Sequence, residues 1–421
     1  MINILHFIIR KLIVLYKCVE FQILDLFNGS IERSITNKLE KIGVVFESVG
    51  SKRDDNYEHI LEKCKYDKIC RLQLINKRLL TDMTNRGNIA LGEGYMNGDF
   101  KFTNDESDIT EFVTRCLSNN YFRHYFNCWN SLLYDVEFEW INLQTSSKAW
   151  EVGKKHYDLG NAFFRSFLGS NMVYSSAYWA NADTLDKAQI DKLELIAKKL
   201  DLKPGMVVLD LGCGWGTLCK YLAENYGVSC VGITVSKEGY EYAKRMCHGL
   251  PIEFLLEDYR QLNQKFDRIV SIEMSEHVGF RNYREFLEVV YRCLKPDGIF
   301  LLHVTTITDS TIKRIDTFIH QHCYPNISYP HTQDITKGID GLLVIEDWHN
   351  MSIDFGKTCF AWRENFIKNW STISNQYDEQ FYRMWTYFLS VGEAGFNSKK
   401  YELAQIVFTR PEFKSRYIVA R

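Results

Sequence analysis

Between residues 185 and 304 the apolar positions switch repeatedly between two periods. Contiguous or alternating apolar runs at Met206 to Asp210, Val228 to Val235, Ile252 to Leu256, Arg268 to Ile272 and Gly298 to Val304 read as strands. Apolar residues at three-and-four spacing in Leu185 to Leu200, Lys237 to Cys247 and Tyr283 to Leu294 read as helices between them. Such alternation predicts an α/β fold: a parallel, doubly wound sheet that takes ligands at the carboxyl ends of its strands. Those ends carry Asp210, Thr234, Asp258, Glu276 with His277, and His303, so polar groups converge on one edge.

Further along, residues 306–340 lose the pattern, and an insertion of that length just after His303 reads as a lid over the site. Val344 to Trp348 resumes as a strand, two aromatic-rich helices follow, and Ala404 to Thr409 closes the sheet as an antiparallel edge strand, seven strands in all. Upstream, Glu58 to Cys64, Ile69 to Thr81 and Ile109 to Phe126 carry helical periodicity, with a glycine-punctuated loop from Gly87 to Phe100 among them. Residues 31–135 therefore read as a small helical domain for membrane docking or dimerisation, and 136–421 as the catalytic unit. Residues 1–30 read as an amphipathic helix. Arg10-Lys11 interrupts its apolar run and no small-residue cleavage site follows, against a signal peptide or a spanning helix. Its two readings are a helix lying in a membrane interface, and one docked on the protein's own core or a dimer mate.

The 421 residues suffice for two ordinary cores, and a net charge of −2 with dispersed basic residues gives no footprint for nucleic acid. The 12 cysteines include no Cys-x-x-Cys pair, so neither a metal site nor a disulfide frame is expected, and the default compartment is a reducing cytoplasm. An aromatic share of 14% suits an apolar pocket and a packed core equally.

The chemistry gathers at Val207-Val208-Leu209-Asp210-Leu211-Gly212-Cys213-Gly214-Trp215-Gly216-Thr217, a strand, a tight turn and a helix start. Glycines there admit positive φ and let backbone N–H groups approach a ligand at a helix N-terminus. No Gly-Lys-Ser/Thr follows, which removes a Walker loop, and the spacing of the dinucleotide fingerprint is absent. Acid-x-Gly-x-Gly resembles the first loop of methyltransferases dependent on S-adenosylmethionine (SAM).

A longer series of motifs makes the resemblance specific: His156-Tyr157-Asp158-Leu159-Gly160-Asn161, Tyr174-Ser175-Ser176-Ala177-Tyr178-Trp179, Glu257-Asp258-Tyr259-Arg260, Glu276-His277-Val278-Gly279, Leu301-Leu302-His303 and Glu346-Asp347-Trp348-His349-Asn350. With the glycine loop, these resemble the cyclopropane fatty acid synthases from about Ser34 to Arg421. The resemblance implies a Rossmann-like, seven-stranded SAM methyltransferase domain with a lid insertion. It also implies addition of a methylene group across a cis double bond of an unsaturated membrane phospholipid, with peripheral membrane contact. Cofactor contacts carried over are Tyr174, Ser175, Asp210, Gly212, Cys213, Gly214, Thr234, Asp258 and Tyr259. The family's base is bicarbonate, held from a cysteine region, a glutamate, a histidine and a tyrosine. Glu276 and His303 match two of these, while Ser176 replaces the cysteine, Phe355 the tyrosine, and Gly392 a second cysteine. Gly239 stands where a ribose-binding glutamine is usual. A donor lost from a buried anion is worth roughly 1.5–3 kcal/mol, so ring closure competes here with two other outcomes: a methyl-branched chain, or SAM and lipid binding without turnover.

Overall fold

The computed structural model describes residues 28–48, 57–103, 108–120, 142, 144–145, 159–309, 316–324 and 326–421. The amphipathic segment 1–30, all but its last residues, and the His156-Tyr157-Asp158 motif lie outside them. The chain divides into two units, Met1–Glu137 and Phe138–Arg421.

In the first unit, α1 (Asn28–Glu40) leads to β1 (Val44–Ser48), a short α2 (Glu58–Leu61), β2 (Cys70–Leu74), α3 (Arg78–Arg86), α4 (Asn88–Asn97), β3 (Phe100–Phe102) and α5 (Ile109–Ser118). The unit is not purely helical, because β2 pairs parallel with β1 and antiparallel with β3. Cys70, Leu72 and Leu74 are buried and Arg71 and Gln73 are less so, a period of two inside a stretch whose 70/74 spacing also satisfies a helix. The expected glycine loop is α4. Gly94 lies inside it because a β-carbon there would stand 2.5 Å from Leu79 Cδ1 on α3, so the glycine marks close helix packing.

The second unit runs α6 (Asn161–Leu168), α7 (Leu185–Lys199), β4 (Val207–Leu211), α8 (Thr217–Tyr226), β5 (Ser229–Thr234), α9 (Lys237–Met246), β6 (Ile252–Leu256), β7 (Phe266–Ile272), α10 (Tyr283–Cys293), β8 (Leu294–Ile307), α11 (Thr332–Gly338), β9 (Val344–Asn350), α12 (Ser352–Asn369), α13 (Glu379–Asn397) and β10 (Tyr401–Thr409). Its seven strands lie in the order β6-β5-β4-β7-β8-β10-β9. The first five pair parallel and β10 pairs antiparallel with both β8 and β9. The edge is therefore β9, and β10 is internal; all seven of its residues from Leu403 to Thr409 are buried. Within the expected lid, α11 sinks Ile335 into the core beside α10, and Asn326 reaches the cavity described below. Aromatic residues of α6, α12 and α13 form a packed layer in which Phe163 meets Trp385 edge-on at 4.7 Å and Phe366 stacks on Tyr382 at 5.7 Å. Much of the aromatic content is thus core.

Candidate active site

At the end of β4 the chain turns through Gly212, Gly214 and Gly216, with φ of +87°, +52° and +81°. The turn is crowded as well as left-handed. A β-carbon on Gly212 would stand 2.6 Å from Met274 Cγ, and one on Gly216 2.9 Å from both Ala243 Cβ and Phe254 Cζ. The first turn of α9 approaches from the other side, where a β-carbon on Gly239 would lie 2.8 Å from the carbonyl oxygen of Gly214. Gly239 is therefore required by the contact between helix and loop, which the sequence could not show.

A cavity opens over this turn. Tyr174, Ser175, Asp210, Gly212, Cys213, Gly214, Thr234, Asp258 and Tyr259 all line it, so the structure brings together every residue expected to hold the cofactor. Asp210 is 3% exposed, and burial pushes its carboxyl up to about 7 against the opposing pull of the Cys219 thiol and Lys192. Asp258 accepts the Arg260 N–H at 2.9 Å and pairs with its guanidinium at 2.9 Å, which fixes the turn after β6. The Tyr259 hydroxyl is buried with no protein partner, and burial holds it far from ionisation. Thr234 Oγ1 accepts the N–H of Ser236, which caps α9. Burial raises the Cys213 thiol well above its ordinary value, so this residue lines the cavity without thiolate chemistry. Glycine-turn N–H groups, two carboxylates and an unpartnered phenol form a donor set suited to an amino acid joined to a nucleoside.

The four residues expected at the reacting centre do not line the cavity; they lie beside one wall. Parallel pairing of β7 with β8 puts Ile272 opposite His303, and β10 puts Gln405 opposite His303 on the other side. Beyond Ile272 the chain turns at Glu273, whose φ is +47° and whose N–H donates to the His303 carbonyl at 2.8 Å. Glu273 is among the residues that line the cavity. Its Oε1 accepts the Ser176 N–H at 2.8 Å and lies 3.2 Å from His303 Nε2. His303 is fully buried, its Nδ1 lies 3.1 Å from Gln405 Nε2, and desolvation keeps it neutral. Ser176 directs its hydroxyl to the Ala177 carbonyl, leaving only its N–H for the site. Glu276 accepts the Thr305 N–H at 2.7 Å, and burial followed by the nearby Glu273 charge raises its pKa. Phe355 packs at 4.6 Å from Phe396 and edge-on to Trp362 at 6.0 Å. A β-carbon on Gly392 would meet Cys359 Sγ at 3.2 Å, so a thiol from α12 stands beside the position of the second cysteine.

Two residues at this wall escaped the sequence reading. Glu273 sits three positions before the glutamate that the motif favoured, and nothing in the residue string reveals the positive φ that re-aims it. Lys192 lay inside a pattern read only for its apolar members. On α7 the polar Gln189, Lys192 and Lys199 are all buried, which was the available signal. Lys192 donates to Ser175 Oγ at 2.7 Å. Burial lowers its pKa while the charges of Glu273 and Asp210 oppose the shift. His277 also lines the cavity, stacked 5.6 Å from Tyr324. Among the described residues no group of acidic, histidine and cysteine side chains is placed to hold a metal.

Comparison with known proteins agrees with this geometry. The family described as mycolic acid cyclopropane synthetase matches residues 144–406. The chain is 43% identical over 334 residues to a cyclopropane-fatty-acyl-phospholipid synthase of Escherichia coli (strain K12), spanning 79% of this chain and 85% of that protein. Among solved structures, the cyclopropane synthase MmaA2 of Mycobacterium tuberculosis superposes with a TM-score of 0.59 at 27% identity, covering 62% of this chain and 98% of that one. The mycolic acid cyclopropane synthase CmaA1 complexed with SAH and CTAB gives 0.58 at 28% identity, covering 62% and 98%.

Proposed function

Because the chain belongs to the mycolic acid cyclopropane synthetase family, we propose that it adds a methylene group from SAM across a cis double bond of an unsaturated phospholipid acyl chain, forming a cyclopropane ring. The observation that carries this reading is a cavity at the carboxyl edge of the sheet, lined by every expected cofactor contact. SAM supplies there a methyl group on a positively charged sulfur. Gly212, Cys213 and Gly214 present backbone groups to its amino-acid end, with Tyr174 and Ser175 beside them. Thr234 would hold the ribose, and Asp258 with Tyr259 the adenine. Met172, Val173 and Ile272 provide apolar wall toward the acyl chain. An alkene is a weak nucleophile, so the chain must hold it against the methyl group in a dry site, and orientation supplies much of the acceleration.

Bicarbonate, the base that the family resemblance implies, does not fit this site. One of its expected donors, the Ser176 N–H, is already taken by Glu273, whose Oε1 also stands 3.2 Å from His303 Nε2, and a second anion there would be repelled.

The substrate lies in a bilayer, so contact with a membrane surface belongs to the same reading. Exposed Ile353, Phe360 and Ile367 recur every seventh residue on α12, with Lys357 and Lys368 also exposed. No described helix is long and apolar enough to cross a membrane. The described cysteines, all free, suit a reducing cytoplasm. Incubating the protein with cis-unsaturated phospholipid vesicles and SAM deuterated in its methyl group tests the reaction. Mass spectrometry should find a ring retaining two deuteriums; a labelled methyl branch redirects the reading to C-methylation, and unlabelled lipid refutes it.

A further inference from the structure

We propose that the carboxylate of Glu273 is the proton acceptor of ring closure, an internal base standing where the family resemblance places bicarbonate; this rests on the cyclopropanation reading above. Its placement carries the inference. Glu273 Oε1 takes the Ser176 N–H at 2.8 Å, a donor that would otherwise hold a free anion, and stands 3.2 Å from His303 Nε2. Glu273 is among the residues that line the cofactor cavity and keeps 13% of its side chain exposed, whereas Glu276 is not among them and its carboxylate takes the Thr305 N–H. The backbone of Glu273 is left-handed at φ +47°. A non-glycine residue adopts that conformation only at a cost, which recurs where geometry serves function. The N–H bond from Glu273 to the His303 carbonyl holds the turn in place.

The neighbours set the required protonation states. With Gln405 Nε2 donating to Nδ1, neutral His303 carries its proton on Nε2, which no protein group accepts, so the ring does not compete with Glu273 for the proton released. Burial pushes the Glu273 carboxyl up to about 7, against the Ser176 N–H and the Lys192 charge, which favour the ionised form. The bonds then balance. The alkene pair forms a bond to the methyl carbon as the carbon–sulfur bond breaks and leaves its pair on sulfur. The adjacent chain carbon becomes positive. Glu273 removes one proton from the added methyl group, and that C–H pair closes the ring. The protonated carboxyl returns its proton to solvent through the cavity. A C–H bond next to a cationic carbon is far more acidic than a carboxylic acid, so position matters here more than basicity.

The test compares wild type, Glu273→Gln and Glu273→Gly on cis-unsaturated phospholipid vesicles with methyl-deuterated SAM, in buffer stripped of carbon dioxide and in buffer with added bicarbonate. Calorimetric SAM uptake confirms that each variant is folded. Wild type should form the doubly deuterated ring equally fast in both buffers. Glu273→Gln should lose ring formation by about a hundredfold or more, its residual product being a branch with all three deuteriums. Glu273→Gly relaxes the backbone and frees the Ser176 N–H and the space beside His303, so bicarbonate should restore its ring formation. Wild-type ring formation that falls when bicarbonate is removed, or Glu273→Gln closing rings at the wild-type rate, overturns the proposal and leaves cyclopropanation standing. Wild-type lipid without deuterium overturns the reading beneath it.

Discussion

The residues that the family resemblance assigns to the cofactor meet at one cavity, because glycines and short polar residues in a fixed order carry most of its geometry. The residues expected at the reacting centre are not among those lining it. In Ile272-Glu273-Met274-Ser275-Glu276-His277 the string offers two carboxylates and an imidazole, and only the sign of one φ angle decides which carboxylate meets the cavity. The third group, His277, yields a prediction of its own. Burial pushes its pKa down to about 4, whereas an unfolded imidazole titrates near ~6.5. The unfolded chain then binds more protons between those values. Stability is full above about pH 6.5 and is lost as the pH falls toward 4, by about 2 kcal/mol between pH 7 and pH 5. Thermal unfolding followed at both pH values should show that loss in wild type and a flatter profile in His277→Gln. Equal slopes would mean that another group sets the acid limit.

At the level of elements, the alternation of periods predicted the order of strands and helices from α7 to β8. Placement of β10 was not legible, since its burial on both faces depends on β9 pairing outside it, a contact between strands well separated in sequence, Ala404 with Asn350 and Thr409 with Val344. In the first unit, β2 went unseen because five residues with apolar ends satisfy both periods. Contacts between elements also reverse the meaning of Gly239. As a departure from a family glutamine it suggests a lost hydrogen bond and weaker cofactor binding. In the fold it lets the first turn of α9 touch the carbonyl of Gly214. Gly239→Ala should therefore weaken SAM binding by about tenfold, although alanine favours a helix by ~1 kcal/mol over glycine. Titration calorimetry reads the affinity and thermal unfolding the helix. An unchanged Kd would show that the glycine turn yields without cost.

For the whole molecule, the difficulty is that a polar chain with a net charge of −2 must reach a double bond within a bilayer. The face of α12 offers a route that needs no spanning helix. From Ile353 to Ile367 is fourteen residues, about 21 Å of helix, and residues seven apart drift by only ~20° per repeat, so the three side chains form one stripe. Ile353 is 76% exposed, Phe360 47% and Ile367 42%. Partial burial of three such side chains at an interface contributes roughly 3–5 kcal/mol, enough for reversible association and too little for permanent anchoring. Release then remains compatible with moving between substrate molecules. Replacing Ile353 and Phe360 together by Glu should reduce co-sedimentation with unsaturated phospholipid vesicles about tenfold or more, and turnover on vesicles with it. Turnover on a detergent-dispersed short-chain lipid should be preserved, because neither side chain lines the cofactor cavity. Undiminished sedimentation would remove α12 as the contact, and equal losses on both substrates would mean that the substitutions damage the fold instead of the docking step.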